Sequence, residues 1–230
     1  MAVPRISLPL RRPEEVISHL GSPTHWKQGR SAKSLADAWF QANDLPSRVR
    51  SVLEQDPKVS GIELIDAWLE RCTDLGDGRS SASQTDLLAV TGIGSDLAII
   101  GVEGKVTESF DKLVTDWLAD GSQGKRQRLN GLCQLFSLDA AAVGHLRYQF
   151  FHRTAAAILE ARRYRASKAI LLIHSFCPNA TGLDDYVQFG RSLGFERLDR
   201  DLLSEARVIG GTELRLAWVS DEPILEHSGA

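Results

Sequence analysis

Three cysteines, Cys72, Cys133 and Cys177, stand far apart, and none belongs to a Cys-x-x-Cys pair. That argues against a disulfide framework and for buried or free thiols in a reducing compartment. The six histidines form no His-x-x-x-His pair and no Cys/His cluster, which speaks against a zinc site. No apolar run approaches the length needed to span a membrane. The N-terminus carries Arg5, Arg11 and Arg12, but prolines at 4, 9 and 13 interrupt it and no apolar core follows, so a signal peptide is not expected. The expected setting is cytoplasmic. A basic excess is also missing: 27 Lys and Arg stand against 30 Asp and Glu, a net charge of −3. A protein that coats nucleic acid without specificity would carry the opposite balance, although basic groups clustered beside an acidic metal site remain compatible with it. Internal repeats and low-complexity tracts are absent.

Several motifs fail on one residue each. Gly121-Ser122-Gln123-Gly124-Lys125 lacks the first glycine of a phosphate loop, because position 119 is Ala, and Arg126 stands where Ser or Thr would bind magnesium. Thr91-Gly92-Ile93-Gly94 is followed by Leu97 where a dinucleotide fingerprint needs its third glycine. No Gly-x-Ser-x-Gly elbow exists, which argues against an α/β-hydrolase.

What is present is an ordinary globular composition, 43% hydrophobic and 25% charged over 230 residues. This suits a single domain, residues 1–230, with a mainly helical part over 1–72 and an αβ core over 73–219. The informative stretch is DLLAVTGIGSDLAIIGVEGK, Asp86 to Lys105. Two apolar runs, 87–90 and 97–102, flank a glycine-punctuated turn, which predicts a β-hairpin. Side chains alternate along a strand, so Glu103 and Lys105 project from one face. A turn centred near Ile93 and Gly94 sets Asp86 opposite Gly101 to Glu103, and directly opposed residues lie about 5 Å apart. Asp96 competes for the same role. It sits about 23 Å from Glu103 along the strand at ~3.3 Å per residue, so it is expected to cap the turn instead.

A hairpin with Asp86 on its first strand and Glu103-Gly104-Lys105 ending its second resembles the PD-(D/E)XK nuclease superfamily. Thr85, not Pro, precedes Asp86. The runs VEGKVTESF, WLADGSQGKR and RYQFFHRTAA are similar to an uncharacterised bacterial branch of that superfamily. The resemblance implies an α/β fold, with a central mixed sheet flanked by helices in a restriction-endonuclease-like core. It also implies a divalent-metal-dependent hydrolase of phosphodiesters. Asp86, Glu103 and Lys105 would be catalytic, and Mg²⁺ or Mn²⁺ would be held by Asp86, Glu103 and the carbonyl of Gly104. Nucleic acid, DNA ahead of RNA, is the implied partner; a homodimer is compatible and a membrane is not expected. A second reading keeps the nuclease-like fold as a binding or regulatory module with weak or no catalysis. A third makes Glu103 and Lys105 a structural salt bridge.

Supporting residues follow from the remaining elements. Ser31 is expected to cap a helix to about Asn43, and Pro46 to start another that ends before Pro57. Ile62, Ile65, Leu69 and Cys72 give helical spacing over 61–72; the resemblance implies that a helix before the hairpin contributes an acid, and Glu63 would be that residue. Residues 110–118 carry an amphipathic stripe. The next helix begins near Gly124 with Lys125, Arg126 and Arg128 in its first turns, where cations oppose the helix dipole and an anionic partner would relieve them. Glu108 supports the site or starts a helix. A short helix is expected over 139–145. In the helix over 147–165, Gln149, His152 and Arg153 share a face, and Gln149 with Arg153 resembles the superfamily's glutamine and its partner four residues on. Residues 169–176 read as a buried strand in which His174 is a hydrogen-bonded core residue. Thr181 with Asp184 reads as a capping box for a helix to Leu193. Residues 213–219 alternate as a half-buried strand, with a frayed tail from Ser220.

Overall fold

A computed structural model describes residues 9–20, 22–77 and 82–223. The mainly helical part expected over 1–72 therefore falls partly outside it, as does the tail beyond 223. The chain builds a seven-stranded mixed sheet with helices on both faces. The strands are β1 (Glu63–Thr73), β2 (Ser83–Ile93), β3 (Asp96–Lys105), β4 (Lys168–Ser175), β5 (Leu202–Leu203), β6 (Arg207–Ile209) and β7 (Thr212–Ser220). Their order is β1-β2-β3-β4-β7-β5, with β6 paired to β7. The first three form an antiparallel meander. β4 joins β3 in parallel, and β7 joins β4 in parallel.

The hairpin closes between Ile93 and Asp96, and its register runs back to Leu87 opposite Val102. Asp86 and Glu103 are the next residues beyond that last pair. The α/β class and the principal strands thus agree with the expectation, and β5 and β6 are added to it.

α1 (Ser31–Ala42) and α2 (Ser47–Leu53) cover one face of the sheet. Leu35, Trp39, Val49 and Leu53 pack there on Leu87, Ile100, Val102 and Leu172. α5 (Tyr148–Tyr164) lies across the other face, where Phe150, Phe151 and Ile158 meet Leu88, Ile99, Leu171 and Trp218. Each of those fully buried side chains stabilises the fold by about 1.5–3 kcal/mol. Gly101 lets α5 approach: a Cβ there would stand 3.2 Å from the Ala157 Cβ. Alternation along β3 therefore turns Ile100 and Val102 toward α1, and Ile99, Glu103 and Lys105 toward α5.

Several local expectations are corrected. Residues 63–73 form β1, not a helix. Pairing with the open edge of β2 outweighs a weak helical spacing, and Trp68 stacks on Tyr164 with centroids 6.0 Å apart. Two irregularities hid the strand: a register shift between Leu64 and Asp66, and a left-handed Glu70 at φ 54°, which together break the period-two pattern. The stripe over 110–118 yields only α3 (Val114–Trp117). There the Val114 and Tyr148 N–H groups bond to Leu146 and Lys112 carbonyls, tying the segment to the start of α5. Residues 139–145 are turns. Arg30, with extended backbone, occupies the N-cap position of α1, and Ser31 is its first residue. α6 (Leu183–Ser192) begins after a left-handed Gly182 with no side-chain cap, while Thr181 lies 3.5 Å from the Cys177 Sγ. Asp96 does not cap its turn; it accepts a hydrogen bond from Lys168 Nζ at 2.8 Å.

α4 (Gln123–Phe136) starts where expected, with the Ser122 hydroxyl accepting from the Lys125 N–H. His174 is fully buried: its Nδ1 accepts from Trp39 Nε1 at 3.3 Å and its Nε2 lies 3.2 Å from Asp221. Ser220 closes β7, and the Asp221 N–H donates to the Ser175 carbonyl, so the frayed tail does not begin at Ser220.

Candidate active site

Three adjacent strands bring their C-terminal or parting ends to one cleft beneath α5. The sheet opens at this point, because pairing of β2 with β3 stops at Leu87. Asp86 occupies the opening. Its Oδ2 accepts from the Gly104 N–H at 3.0 Å, so a carboxylate stands where a ladder carbonyl would otherwise be. Side-chain alternation shifts by one residue here: Ser83 and Thr85 face α5, and so do Leu88 and Val90.

Glu103 is deeply buried at 4% side-chain exposure, whereas Asp86 keeps 19%. Arg153 from α5 spans the two. Its Nε donates to Glu103 Oε2 at 2.5 Å and its Nη2 to Asp86 Oδ1 at 3.1 Å. Gln149, one helical turn earlier, donates from Nε2 to Glu103 Oε1 at 2.6 Å. Lys105 completes the group, with Nζ 3.1 Å from Glu103 Oε1, 3.2 Å from Gln149 Oε1 and 4.6 Å from the Phe110 ring centroid.

The electrostatics separate the two carboxylates. Burial works against the charge of Glu103, but the Arg153 guanidinium and the Lys105 ammonium outweigh it and hold Glu103 well below the usual range. For Asp86, burial and then the neighbouring Glu103 charge push the carboxyl up. A further acid belongs to this field. Glu70 on β1 lies between the Leu69–Leu87 and Arg71–Thr85 pairs, at the level of Asp86. Burial and then the Asp86 charge push it up to about 8. Three acids therefore share the space with two cations, and two of the acids resist ionising.

The cleft of about 600 Å³ is lined by Glu70, Asp86, Glu103, Lys105, Gln149 and Arg153 among others. It also takes in Glu108, His152 and Arg128. Glu108 accepts the N–H groups of Val106 (2.9 Å) and Ser31 (3.3 Å) and so fastens α1 to the end of β3. Burial opposes the charge of Glu108, and these backbone donors outweigh it, leaving its carboxyl lowered. His152 lies 2.9 Å from the Ser83 hydroxyl, and burial followed by Arg153 pushes it down to about 3, so it is neutral.

Of the remaining candidates, only Arg128 reaches the cleft. Glu63 stands at the opposite end of β1, exposed and paired with Gly92, away from the cleft. Lys125 binds Asp120 at 2.7 Å and the Trp117 carbonyl at 2.8 Å, closing the turn before α4, and neither it nor Arg126 lines the cleft. Arg128 does line it and is paired with Asp77. Glu70 was missed because 61–72 was read as a helix, and the register shift at Leu64–Asp66 with the left-handed Glu70 left no period-two signal to find it by. His152 was legible through its helical face shared with Gln149 and Arg153.

Fold and cleft together define an α/β domain with a carboxylate–lysine group at the parting of two strands. A family model described as a domain of unknown function, DUF6946, matches residues 9–223, and the chain belongs to that family. No curated protein and no solved structure matches the chain. No helix among the described residues is long and apolar enough to cross a membrane.

Proposed function

We propose that the chain is a divalent-metal-dependent nuclease of the PD-(D/E)XK type, acting on DNA ahead of RNA. The observation that carries this reading is the convergence of Asp86, Glu103 and Lys105 on one cleft, with Gln149 and Arg153 reaching in from α5. This meeting of residues far apart in sequence supports the reading.

The donor set suits a hard cation, since carboxylate and carbonyl oxygens are the ligands Mg²⁺ and Mn²⁺ take. The excess of acid over base supports the same fit. Glu70 and Asp86 are both pushed toward the protonated form, and a cation would favour their charged forms. Asp86, Glu103 and the Gly104 carbonyl would hold it, with Glu70 as an added carboxylate. Its chemistry is to polarise a phosphate oxygen and to lower the pKa of a bound water. Among the described residues no three His, Cys, Asp or Glu side chains are already arranged around a common ion position, so binding involves some side-chain adjustment.

The chain's own residues supply the rest. Lys105 Nζ offsets negative charge that builds on the phosphate as the water oxygen bonds to phosphorus and the ester oxygen leaves. Gln149 fixes Lys105 and Glu103 relative to each other through one amide. The proton lost by the attacking water balances the one that the leaving ester oxygen takes up, so Asp86 and Glu103 stay available as ligands.

One observation favours a second reading. Arg153 already neutralises both Asp86 and Glu103, as it would in a nuclease-fold binding or regulatory module with little catalysis. The test measures thermal shift with Mg²⁺ or Mn²⁺ and cleavage of DNA and RNA, for wild type, Asp86→Asn, Glu103→Gln and Lys105→Ala. A nuclease gives a metal-dependent rise in Tm and cleavage. Its carboxylate variants lose metal affinity, and Lys105→Ala keeps metal and loses turnover. Nucleic-acid binding without cleavage selects the module. No metal binding and no cleavage, with Lys105→Ala changing stability alone, leaves only the salt bridge.

A further inference from the structure

The cleft has two walls of different character. α5 supplies one. The other is the segment that leads into α1 together with the helix start, which contribute His25, Arg30 and Ser31. Arg30 differs from the other Lys and Arg side chains in the lining. Lys105 and Arg153 are engaged by Glu103 and Asp86, and Arg128 is engaged by Asp77. Arg30 is exposed, and its guanidinium meets no carboxylate among the described residues.

Its place is nevertheless fixed. The Arg30 carbonyl accepts the Ser34 N–H at 3.0 Å, and its own N–H donates to Lys27 at 3.0 Å. The next residue, Ser31, donates to Glu108, whose other oxygen accepts the N–H of Val106, immediately after Lys105. One carboxylate therefore holds the backbone at Arg30 and Ser31 at a set position relative to the Lys105 end of the acidic floor, from which the Arg30 side chain reaches the cleft. A free cation held over a site with excess acid is placed to receive an anion that approaches that site.

We propose that Arg30 binds a phosphate of the substrate and that the occupant of this cleft is a single strand of nucleic acid, not a duplex. The proposal rests on the nuclease reading above. Three observations favour the single strand. The cavity, about 600 Å³, falls in the size class of pockets for small ligands, about 300–1,000 Å³. Of the four Lys and Arg side chains that line the cleft, Lys105, Arg128 and Arg153 are paired with carboxylates, which leaves fewer cations than the two phosphate backbones of a duplex would engage. His25, exposed like Arg30, also lines the cleft and offers a ring on which an unpaired base can stack.

The experiment is fluorescence anisotropy in Mg²⁺ with a short labelled single-stranded oligodeoxynucleotide and its blunt duplex, titrated over a range of salt. The Lys105→Ala background keeps the strand intact. Single strand should bind more tightly than duplex. Arg30→Ala should weaken that binding by about tenfold, the scale of one charged hydrogen bond, and lower the log–log salt slope by about 0.7. Arg30→Lys should keep most of the slope, and Tm and the Mg²⁺ shift should not move. Equal or tighter binding of duplex overturns the single-strand assignment, and an unchanged affinity and slope in Arg30→Ala overturns the role of Arg30. DNA cleavage that Arg30→Ala leaves intact defeats this proposal alone. A chain that binds Mg²⁺ but neither binds nor cuts nucleic acid defeats the nuclease reading with it.

Discussion

Arg153→Met tests whether the cleft is held together by charge or by packing. The substitution keeps an unbranched side chain of similar reach and removes the guanidinium that touches both Glu103 and Asp86. Arg153 is 11% exposed and Glu103 4%, so water can replace little of what is lost. Breaking a buried ion pair by removing one partner costs about 3–5 kcal/mol, because a charge is left uncompensated. For a domain of this size 1 kcal/mol moves Tm by roughly 2–4 °C, which gives a fall of about 6–20 °C at pH 7.5. The penalty depends on ionised acids. Asp86 and Glu70 already have raised proton affinity, and loss of the guanidinium raises both further, along with Glu103. A carboxyl with a raised folded pKa contributes stability that is complete below its unfolded value and is lost as pH rises through the folded one. The variant should therefore recover much of its Tm between pH 7.5 and pH 5.5, and Mg²⁺ should raise its Tm more than that of wild type. Differential scanning calorimetry at both pH values, with and without Mg²⁺, measures all of this. An equal loss at both pH values would refute the charge argument and assign Arg153 to packing.

Glu70→Gln removes an acid pushed up to about 8, so the variant should lose part of the wild-type decline in stability between about pH 5 and pH 8; identical pH–Tm curves would place Glu70 outside the field of Asp86. Gly104→Ala puts a Cβ 3.3 Å from the Leu35 Cβ and 3.4 Å from the Ser31 carbonyl, so α1 must give way. Chemical denaturation should show a loss of about 1–3 kcal/mol. Trp39→Phe leaves the buried His174 Nδ1 without its donor and should cost about 1–3 kcal/mol in the same assay.

Much of this architecture could be read from the chain because the signals were local. The hairpin showed in two apolar runs about a glycine turn, and the face shared by Glu103 and Lys105 followed from alternation alone. Gln149 and Arg153 were found by helical spacing, although their arrival over Glu103 depends on α5 crossing the sheet at Gly101, which no local pattern encodes. β1 could not be read, because the register shift at Leu64–Asp66 and the left-handed Glu70 scramble its period. The residues 110–118 misled in the opposite way. Their apolar side chains recur at helical intervals, yet Phe110 packs on Phe150 at 4.2 Å from an irregular segment, and helix appears only over Val114–Trp117. Lys125 was expected to face an anion supplied from outside, but Asp120, five residues away, already serves it.

Asp86 ties the fold to the site. An acid that served only a bound cation could be removed at little structural expense. Asp86, however, accepts the Gly104 N–H in the gap where β2 leaves β3, and Gly104 lies between Glu103 and Lys105. The carboxylate therefore does two things at once. It satisfies a backbone donor that the parting strands would otherwise orphan, and it presents its second oxygen to Arg153 and the cleft. An amide can accept the first bond and cannot carry the charge, whereas alanine can do neither. Asp86→Asn should accordingly keep a melting temperature close to that of wild type while losing metal affinity. Asp86→Ala should lose metal affinity and also about 1–3 kcal/mol of stability through the unsatisfied Gly104 N–H. Equal stability of the two variants in urea would show that water reaches Gly104 once the carboxylate is gone. The opening between the strands would then persist without Asp86, and the acid would be present for its charge alone.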